Sequence, residues 1–346
     1  MIKSISVKGY KTLHDCKLTL GKRNILIGGN MSGKSNIIEI LQLVGKYFIH
    51  PTYIMEDASL IARSTSRNNS EISILLESEF DSINTSLNLQ WDINYQQNNK
   101  NEPVKLEAYQ YDSVTKAVIR ELFYGYFKPL YSPILCYKDI HTNSQSPIRQ
   151  PQSAAPFKYL NNVGSNLANI LLKYFNDDSF RSELKKIMKA VNPDFMNIYV
   201  DQVVGNFINI TWKEKNLERD LYASDLSDGT LRLLCLCAIL LPNSIVEPPK
   251  LICIDEPELG LYPRRVLPIL AEMIKNKSEE SQVIITTHSP ELLNYFDLED
   301  VVALEREDGK TKFIRPSDKK ELEQLLKSYE YSLSDLWLTG KFEEKS

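Results

Sequence analysis

The chain has 346 residues, a formal net charge of −4 and 42% hydrophobic residues, all of which are typical of a globular protein. The acidic balance argues against a broadly basic surface for nucleic acid, so any contact with DNA would need a local basic patch. The five cysteines lack the spacing of a metal site or a disulfide framework, and no apolar run reaches the roughly 18 residues of a membrane span. The first residues also lack a signal-peptide pattern. These features predict a cytoplasmic protein with no membrane contact.

The N-terminal part of the sequence alternates between strand and helix patterns. Strands are predicted at residues 2–7 and 24–27, and a helix at 36–44 follows the second of them. Apolar residues then alternate with polar ones over residues 71–111, with a polar break at 96–102 that indicates a hairpin loop. This region is therefore predicted to be an antiparallel β lobe.

The middle of the chain changes in character several times. Residues 143–156 are rich in Ser, Gln and Pro and predict a long loop that is either mobile or a contact segment. A helical stretch is predicted at 164–191, and a hairpin follows at 198–212. The last part alternates helix, strand, helix and strand, at residues 230–241, 251–254, 263–275 and 283–286. Such alternation predicts a parallel sheet covered by helices on both faces.

The strongest chemical motif lies between the strand at 24–27 and the helix at 36–44. It matches the phosphate-binding pattern G-x-x-x-x-G-K-[ST], in which a glycine-rich turn brings backbone N–H groups onto phosphate oxygens. The helix that follows directs its positive end at the same phosphates. Lys34 is expected to bridge the β- and γ-phosphates and Ser35 to hold Mg²⁺. The predicted nucleotide-binding residues are Gly28, Gly29, Asn30, Met31, Ser32, Gly33, Lys34, Ser35 and Asn36.

Two carboxylates end the apolar strand at 251–254. Charged groups at the end of a buried strand are costly unless a cation or a proton donor uses them; the alternative is that both are simply solvated. Asp255 is predicted to anchor Mg²⁺ through a water molecule or Ser35, and Glu256 to act as the general base that orients and deprotonates the attacking water.

Two further positions fit a nucleotide site, although each also has a plainer explanation. His288 follows the strand at 283–286 and is predicted to sense the γ-phosphate; alternatively, it is a surface or capping histidine. Ser227 and Gly229 precede an apolar helix, where they could form a phosphate-binding surface, or Ser227 could merely cap the helix.

Together these motifs resemble those of the ABC ATPase superfamily. The matching elements are Walker A at 28–35, the signature motif at 226–230, Walker B at 252–256, the D-loop at 258–263 and the switch histidine at His288. Residues 5–13, 30–36, 226–232 and 255–261 are similar to the branch of AAA family ATPases that contains RecF, SMC and OLD-like proteins, of AAA_21-like type. The resemblance is close over residues 1–50 and 220–305.

The sequence departs from the usual family pattern at a few positions. Asp228 replaces a glycine of the signature motif, and Tyr262 stands where histidine is frequent. The glutamine of the Q-loop is not assigned. OLD-like proteins continue into a TOPRIM nuclease domain, whereas the short segment after Arg306 shows no second constellation of metal ligands. The resemblance therefore implies an ATPase without a TOPRIM domain.

The resemblance implies an α/β fold, namely the P-loop NTPase fold of ABC ATPase type with an antiparallel β lobe and a helical insertion. One ABC-type domain is expected over residues 1–346. Its parts are a nucleotide-binding core at 1–60 and 220–315, the β lobe and helical insertion at 70–215, and a C-terminal helix and tail at 316–346. An amphipathic helix is predicted at 319–327, and the apolar tail at 331–338 is expected to dock on the core or on a partner.

The function implied by the resemblance is hydrolysis of ATP with Mg²⁺ by a homodimer or a larger homo-oligomer. Two copies would pack head to tail, with Ser227 and Gly229 of one facing the ATP held by Lys34 of the other. The dimer would control a separately encoded nuclease or toxin effector in DNA maintenance or anti-phage defence, with DNA as a further candidate partner. Lys185, Lys186 and Lys189 are the basic stretch that could contact DNA, although such stretches are usually solvated surface.

Two alternatives remain at this point. One is the nucleotide-binding subunit of a transporter, against which stand Thr230 in place of a glutamine and the long middle region. The other is a nucleotide-dependent scaffold that does not hydrolyse ATP, against which stands the combination of Glu256 and His288.

Overall fold

The computed structural model describes residues 1–49, 70–80, 85–95, 107–112, 133–262, 265–318, 320, 322, 326 and 331–342. In chain order the strands are β1 (Ile2–Tyr10), β2 (Leu13–Thr19), β3 (Arg23–Gly28), β4 (Ser70–Phe80), β5 (Thr85–Tyr95), β6 (Glu107–Asp112), β7 (Ile134–Tyr137), β8 (Gln152–Ser153), β9 (Phe195–Gln202), β10 (Phe207–Glu214), β11 (Leu221–Tyr222), β12 (Leu251–Asp255), β13 (Gln282–Thr286), β14 (Val301–Glu307) and β15 (Lys310–Ile314). The helices are α1 (Lys34–Ile49), α2 (Leu167–Tyr174), α3 (Asp178–Val191), α4 (Asp228–Leu240), α5 (Val266–Lys277), α6 (Pro290–Leu293) and α7 (Leu333–Leu338).

These elements form two compact units. The first unit contains Met1–Cys136, Pro249–Asp255 and Ser281–Ser346, and the second contains Tyr137–Pro248 and Glu256–Glu280. The first unit therefore holds the phosphate loop, and the second holds the helical segments of the middle of the chain.

A six-stranded sheet organises the first unit, in the order β15-β14-β3-β13-β12-β7. Within it β14, β3, β13 and β12 are parallel neighbours. Residues 25–27, 252–254 and 283–285 of the inner strands are fully buried, which explains their uninterrupted apolar sequences. The predicted parallel sheet is confirmed.

Helix α1 packs on this sheet through one apolar face. Ile37, Ile40 and Leu41 are fully buried, and the helix contacts β12 and β3. Each buried Ile or Leu side chain contributes about 1.5–3 kcal/mol to folding. This packing holds the first turn of α1 at the end of β3.

The five-stranded sheet of the first unit is antiparallel, in the order β2-β1-β4-β5-β6. Strands β4, β5 and β6 confirm the β structure predicted within residues 71–111. Residues 81–84 and 96–106, which include the predicted hairpin loop at 96–102, lie outside the described residues. Val7 of β1 and Leu76 of β4 are buried in the same core as Ile37 of α1.

The second unit combines a small antiparallel sheet with helices. Strand β10 pairs with β9, β8 and β11, which confirms the predicted hairpin. The helical stretch predicted at 164–191 is divided into α2 and α3, because the Asp177 side chain accepts the backbone N–H groups of Ser179 and Phe180 and starts a new helix. The loop predicted at 143–156 contains the short strand β8 and a 3-10 turn at Pro147–Arg149.

Helix α4 is buried along most of its length, since every residue from Leu231 to Leu240 is buried. Burial raises the pKa of the Cys235 thiol to about 12, so this cysteine stays protonated and packs as a small apolar side chain. The predicted helix at 263–275 begins at Val266 as described, and residues 263 and 264 lie outside the described residues.

The C-terminal segment belongs to the first unit. The predicted helix at 319–327 is described only at residues 320, 322 and 326, which are helical. Helix α7 contacts α6, where Asn294 donates to the Ser334 hydroxyl over 3.0 Å and Leu336 is fully buried. Across the described ranges, no helix has both the length and the apolar character required to traverse a bilayer.

Candidate functional site

Three neighbouring strands of the six-stranded sheet end at the same edge. Asp255 of β12 pairs with Thr286 of β13, and Thr286 pairs in turn with Leu26 of β3. Since the strands are parallel, their carboxyl ends present the phosphate loop, Asp255 and the segment leading to His288 along one edge. Open α/β sheets bind their ligands at such an edge.

The phosphate loop closes around its own lysine. Lys34 Nζ donates to the carbonyls of Gly28 and Gly29 over 2.9 and 3.0 Å, and the residue is only 6% exposed. The loop turns through Met31 at φ 67° and Gly33 at φ 107°, and α1 starts directly afterwards. A cationic amine and a helix N-terminus therefore occupy the same small concave loop, which suits an anion.

Two threonines that the sequence motifs did not indicate support this loop from behind. The Thr311 hydroxyl donates to the Ser32 carbonyl over 2.8 Å and hydrogen-bonds to Thr12 over 2.7 Å. A Cβ atom on Gly33 would lie 2.3 Å from the Thr311 hydroxyl, so only glycine fits there. Asn36 donates to Thr12 over 2.8 Å and joins α1 to the same support.

Ser35 and Asp255 meet at the start of α1. The Ser35 hydroxyl donates to an Asp255 carboxylate oxygen over 3.2 Å, although the two residues are 220 positions apart in the chain. The other carboxylate oxygen accepts a hydrogen bond from Thr286. The structure thus brings together the two residues predicted to hold the metal and adds Thr286, which orients the carboxylate.

Glu256 is the next residue in the chain and begins the second segment of the second unit, Glu256–Glu280. Its backbone is left-handed, with φ 46°, and its carbonyl accepts hydrogen bonds from Arg232 over 2.8 Å and from the Leu259 N–H over 3.0 Å. A non-glycine residue with this φ requires support from its surroundings. Arg232 supplies that support from α4. It belongs to the segment 226–232 on which the family resemblance rests, but the sequence assigned it no role.

His288 lies two residues beyond the end of β13 and is exposed. It precedes Ser289, whose hydroxyl caps α6 by accepting the Leu292 N–H over 3.1 Å. Ser289, and not His288, therefore caps α6. That His288 senses a γ-phosphate stays a prediction.

The start of α4 carries the other predicted residues, within the second unit. Ser227 is its N-cap and accepts the Thr230 N–H over 3.1 Å, and its hydroxyl lies 2.8 Å from that of Thr230. A Cβ atom on Gly229 would lie 2.7 Å from the Gly260 carbonyl oxygen. Helix α4 and the segment 256–260 are thus in contact at both Gly229 and Arg232.

The residues present fit a magnesium nucleotide on the chemistry of their side chains. Mg²⁺ prefers oxygen ligands, and a hydroxyl and a carboxylate already face each other at Ser35 and Asp255. The Ser32 hydroxyl is buried and hydrogen-bonds to none of the described residues. An unused donor within a phosphate loop is compatible with a phosphate oxygen as its partner.

The sequence matches one protein-family model over residues 23–294, which is more than half of the chain. This is the family AAA_21, described as "AAA domain, putative AbiEii toxin, Type IV TA system". None of the curated proteins compared with the sequence matches it.

Solved structures of SMC head domains share the fold. The SMC head bound to the C-winged helix domain of ScpA is 14% identical, with a TM-score of 0.64 over 90% of this chain and 97% of that chain. The head domain with an extended coiled coil, bound to the C-terminal domain of ScpA derived from Pyrococcus furiosus, is 15% identical, with a TM-score of 0.62 over 95% and 99%. At these identities the likeness shows the fold, which confirms the predicted α/β P-loop NTPase architecture.

Proposed function

Because the chain belongs to the AAA_21 family of P-loop ATPases, we propose that it binds ATP at the loop of residues 28–35 and hydrolyses it with Glu256. The contact between Ser35 and Asp255 carries this proposal, since it joins the phosphate loop to the carboxylate strand as one oxygen-rich site. Lys34 would exchange its two carbonyl partners for phosphate oxygens.

Each of the chain's own groups has a task in this reaction. Ser35 and Asp255 would hold Mg²⁺, which when bound neutralises phosphate charge. Water attacks the γ-phosphorus, the bond to the bridging β–γ oxygen breaks, and Glu256 accepts the proton of the water. His288 would hydrogen-bond to the γ-phosphate and so distinguish ATP from ADP.

The functional unit that we propose is a head-to-tail dimer. Ser227 and Gly229 lie at an exposed helix N-terminus, where free backbone N–H groups favour an anion. In the dimer this N-terminus would close over the nucleotide bound by Lys34 of the second copy. ATP then stabilises the dimer, and hydrolysis releases it.

The dimer is proposed to control a separately encoded effector in DNA maintenance or anti-phage defence. A protein partner is supported by the SMC heads of similar fold, which were solved bound to ScpA domains. The family description, which calls the domain a putative toxin of a type IV system, supports a link to a toxin system. The exposed Lys186 and Lys189 on α3 are the candidate contact for DNA.

Sedimentation of Glu256→Gln with and without Mg-ATP tests the proposal. This variant should bind ATP and accumulate as a dimer, because the base is lost while the binding groups remain. Adding Ser227→Arg should keep ATP binding but block dimerisation, since a bulky cation then fills the helix N-terminus.

Lys34→Ala is the matched negative control, and it should neither bind ATP nor dimerise. A Glu256→Gln protein that binds ATP and stays monomeric would refute the dimer. One that binds no ATP would refute the assignment of the nucleotide site itself.

A further inference from the structure

Arg149 is a buried cation in the segment that precedes α2. It ends the 3-10 turn Pro147–Arg149, and its side chain is only 9% exposed. Enclosing a guanidinium is costly unless its donors are satisfied, so its partners show what it is there to hold.

The partners of Arg149 lie mainly in the segment just before α4. Nη1 donates to the carbonyls of Ala223, Ser224 and Leu226 over 3.3, 3.2 and 2.6 Å. Nη2 donates to an Asp228 carboxylate oxygen over 2.5 Å. Nε donates to the carbonyls of Thr142 and Asn143, which fixes the guanidinium from its other side. One side chain thus fastens both flanks of Ser227, the residue that caps α4.

The contact with Asp228 also changes the charge next to the N-terminus of α4. It is the first residue of α4, and its carboxylate is 63% exposed beside the helix N-terminus. A fixed carboxylate there competes with any other anion for the same N–H groups and repels it. The ion pair with Arg149 offsets this charge and gives a reason why an aspartate is tolerated at a position where a glycine is common.

We propose that Arg149 is a positioning residue for the ATP-dependent dimer. It holds the carbonyls of residues 223, 224 and 226 away from the helix N-terminus and neutralises Asp228, so that Ser227 and Gly229 can receive the phosphate carried by a second copy of this chain. This inference rests on the dimer proposed above.

The test uses Glu256→Gln as the parent and measures two quantities, the affinity for Mg-ATP and the dissociation constant of the dimer in saturating Mg-ATP. Arg149→Gln keeps donors but loses the charge. It should leave ATP affinity within about threefold and weaken the dimer about tenfold or more, which is the size of one lost charge-assisted contact.

Adding Asp228→Asn to Arg149→Gln should restore most of the dimer affinity, because the carboxylate that now repels phosphate is gone. Asp228→Asn alone should change it by less than about threefold. The matched control is the pair Asp178 and Arg181, which also places an aspartate at the first position of a helix, α3. Arg181→Gln should leave both quantities unchanged.

Several outcomes would overturn the inference. A folded Arg149→Gln that dimerises like its parent contradicts it, and so does a double variant as weak as Arg149→Gln, since a purely structural role predicts no rescue. If Arg149→Gln fails to fold, Arg149→Lys replaces it, and a folded lysine variant that loses more than about tenfold in dimer affinity contradicts the charge argument. A parent that binds ATP without dimerising refutes the proposed dimer and this inference with it.

Discussion

At the scale of single residues, the phosphate loop is held in place by side chains that lie outside its own motif. Lys34 and Ser35 were predicted from a local pattern, whereas Thr311 and Thr12 approach the loop from distant positions. The Thr311 hydroxyl fixes the carbonyl of Ser32 and blocks any side chain at position 33. The loop is therefore shaped by residues outside the motif.

Replacing Thr311 by valine should weaken ATP binding while preserving the fold. Valine has nearly the same volume, but it leaves the buried Ser32 carbonyl without its donor, which costs about 1–3 kcal/mol. We expect ATP affinity to fall by about tenfold in isothermal titration calorimetry. The control is Thr19→Val, whose side chain is exposed on β2 and lies outside the phosphate loop. An unchanged affinity for ATP in Thr311→Val would show that the conformation of the loop does not depend on Thr311.

At the scale of elements, helix α4 and the segment 256–260 are joined by two close contacts. Arg232 holds the carbonyl of Glu256, and Gly229 lies against the carbonyl of Gly260. Both contacts lie within the second unit. A displacement of α4 would therefore be transmitted to the backbone of the proposed base.

Gly229→Ala tests this connection between elements. Its Cβ atom would lie 2.7 Å from a backbone oxygen, so α4 and the segment must separate. We expect phosphate release to slow by about tenfold or more, with ATP affinity unchanged, because the phosphate loop lies in the other unit. Gly21→Ala is the control, since its Cβ atom meets its nearest neighbour at an ordinary 3.4 Å. Equal slowing in both variants would argue against a specific connection.

Asp177 makes the junction between α3 and the loop after α4 dependent on pH. Hydrogen bonds from Ser179, and from the backbone and side chain of Ser244, lower the pKa of its carboxyl well below the ordinary value. A lowered pKa in the folded state adds stability above the pKa of the unfolded chain, and this stability is lost as pH falls through the folded value.

Asp177→Asn should therefore lower the melting temperature by several degrees at pH 7, and the difference from the wild type should shrink as pH falls below about 4. Thermal unfolding followed by circular dichroism at both pH values measures this. Asp178→Asn is the control, because the exposed carboxylate of Asp178 makes only a surface ion pair, with Arg181. A difference that stays constant with pH would contradict the assigned role of Asp177.

At the scale of the whole molecule, the sequence predicts those features that depend on residues close together in the chain. The apolar runs at β3, β12 and β13 and the phosphate loop predicted the parallel sheet and its binding edge. The contacts that Arg149 makes with residues more than 70 positions away have no local pattern, so they could not be predicted. The same holds for Thr311 and for the division of residues 164–191 at Asp177, where a cap interrupts an otherwise helical sequence.

The molecule as a whole is proposed to be an ATPase, and its phosphate release in saturating Mg-ATP tests that claim most directly. The wild-type chain should release phosphate over many turnovers. Glu256→Gln should release it at least about 100-fold more slowly while still binding ATP, because it lacks the general base. A wild-type chain that binds ATP and releases no phosphate, or a Glu256→Gln variant that turns over at the wild-type rate, would contradict the account.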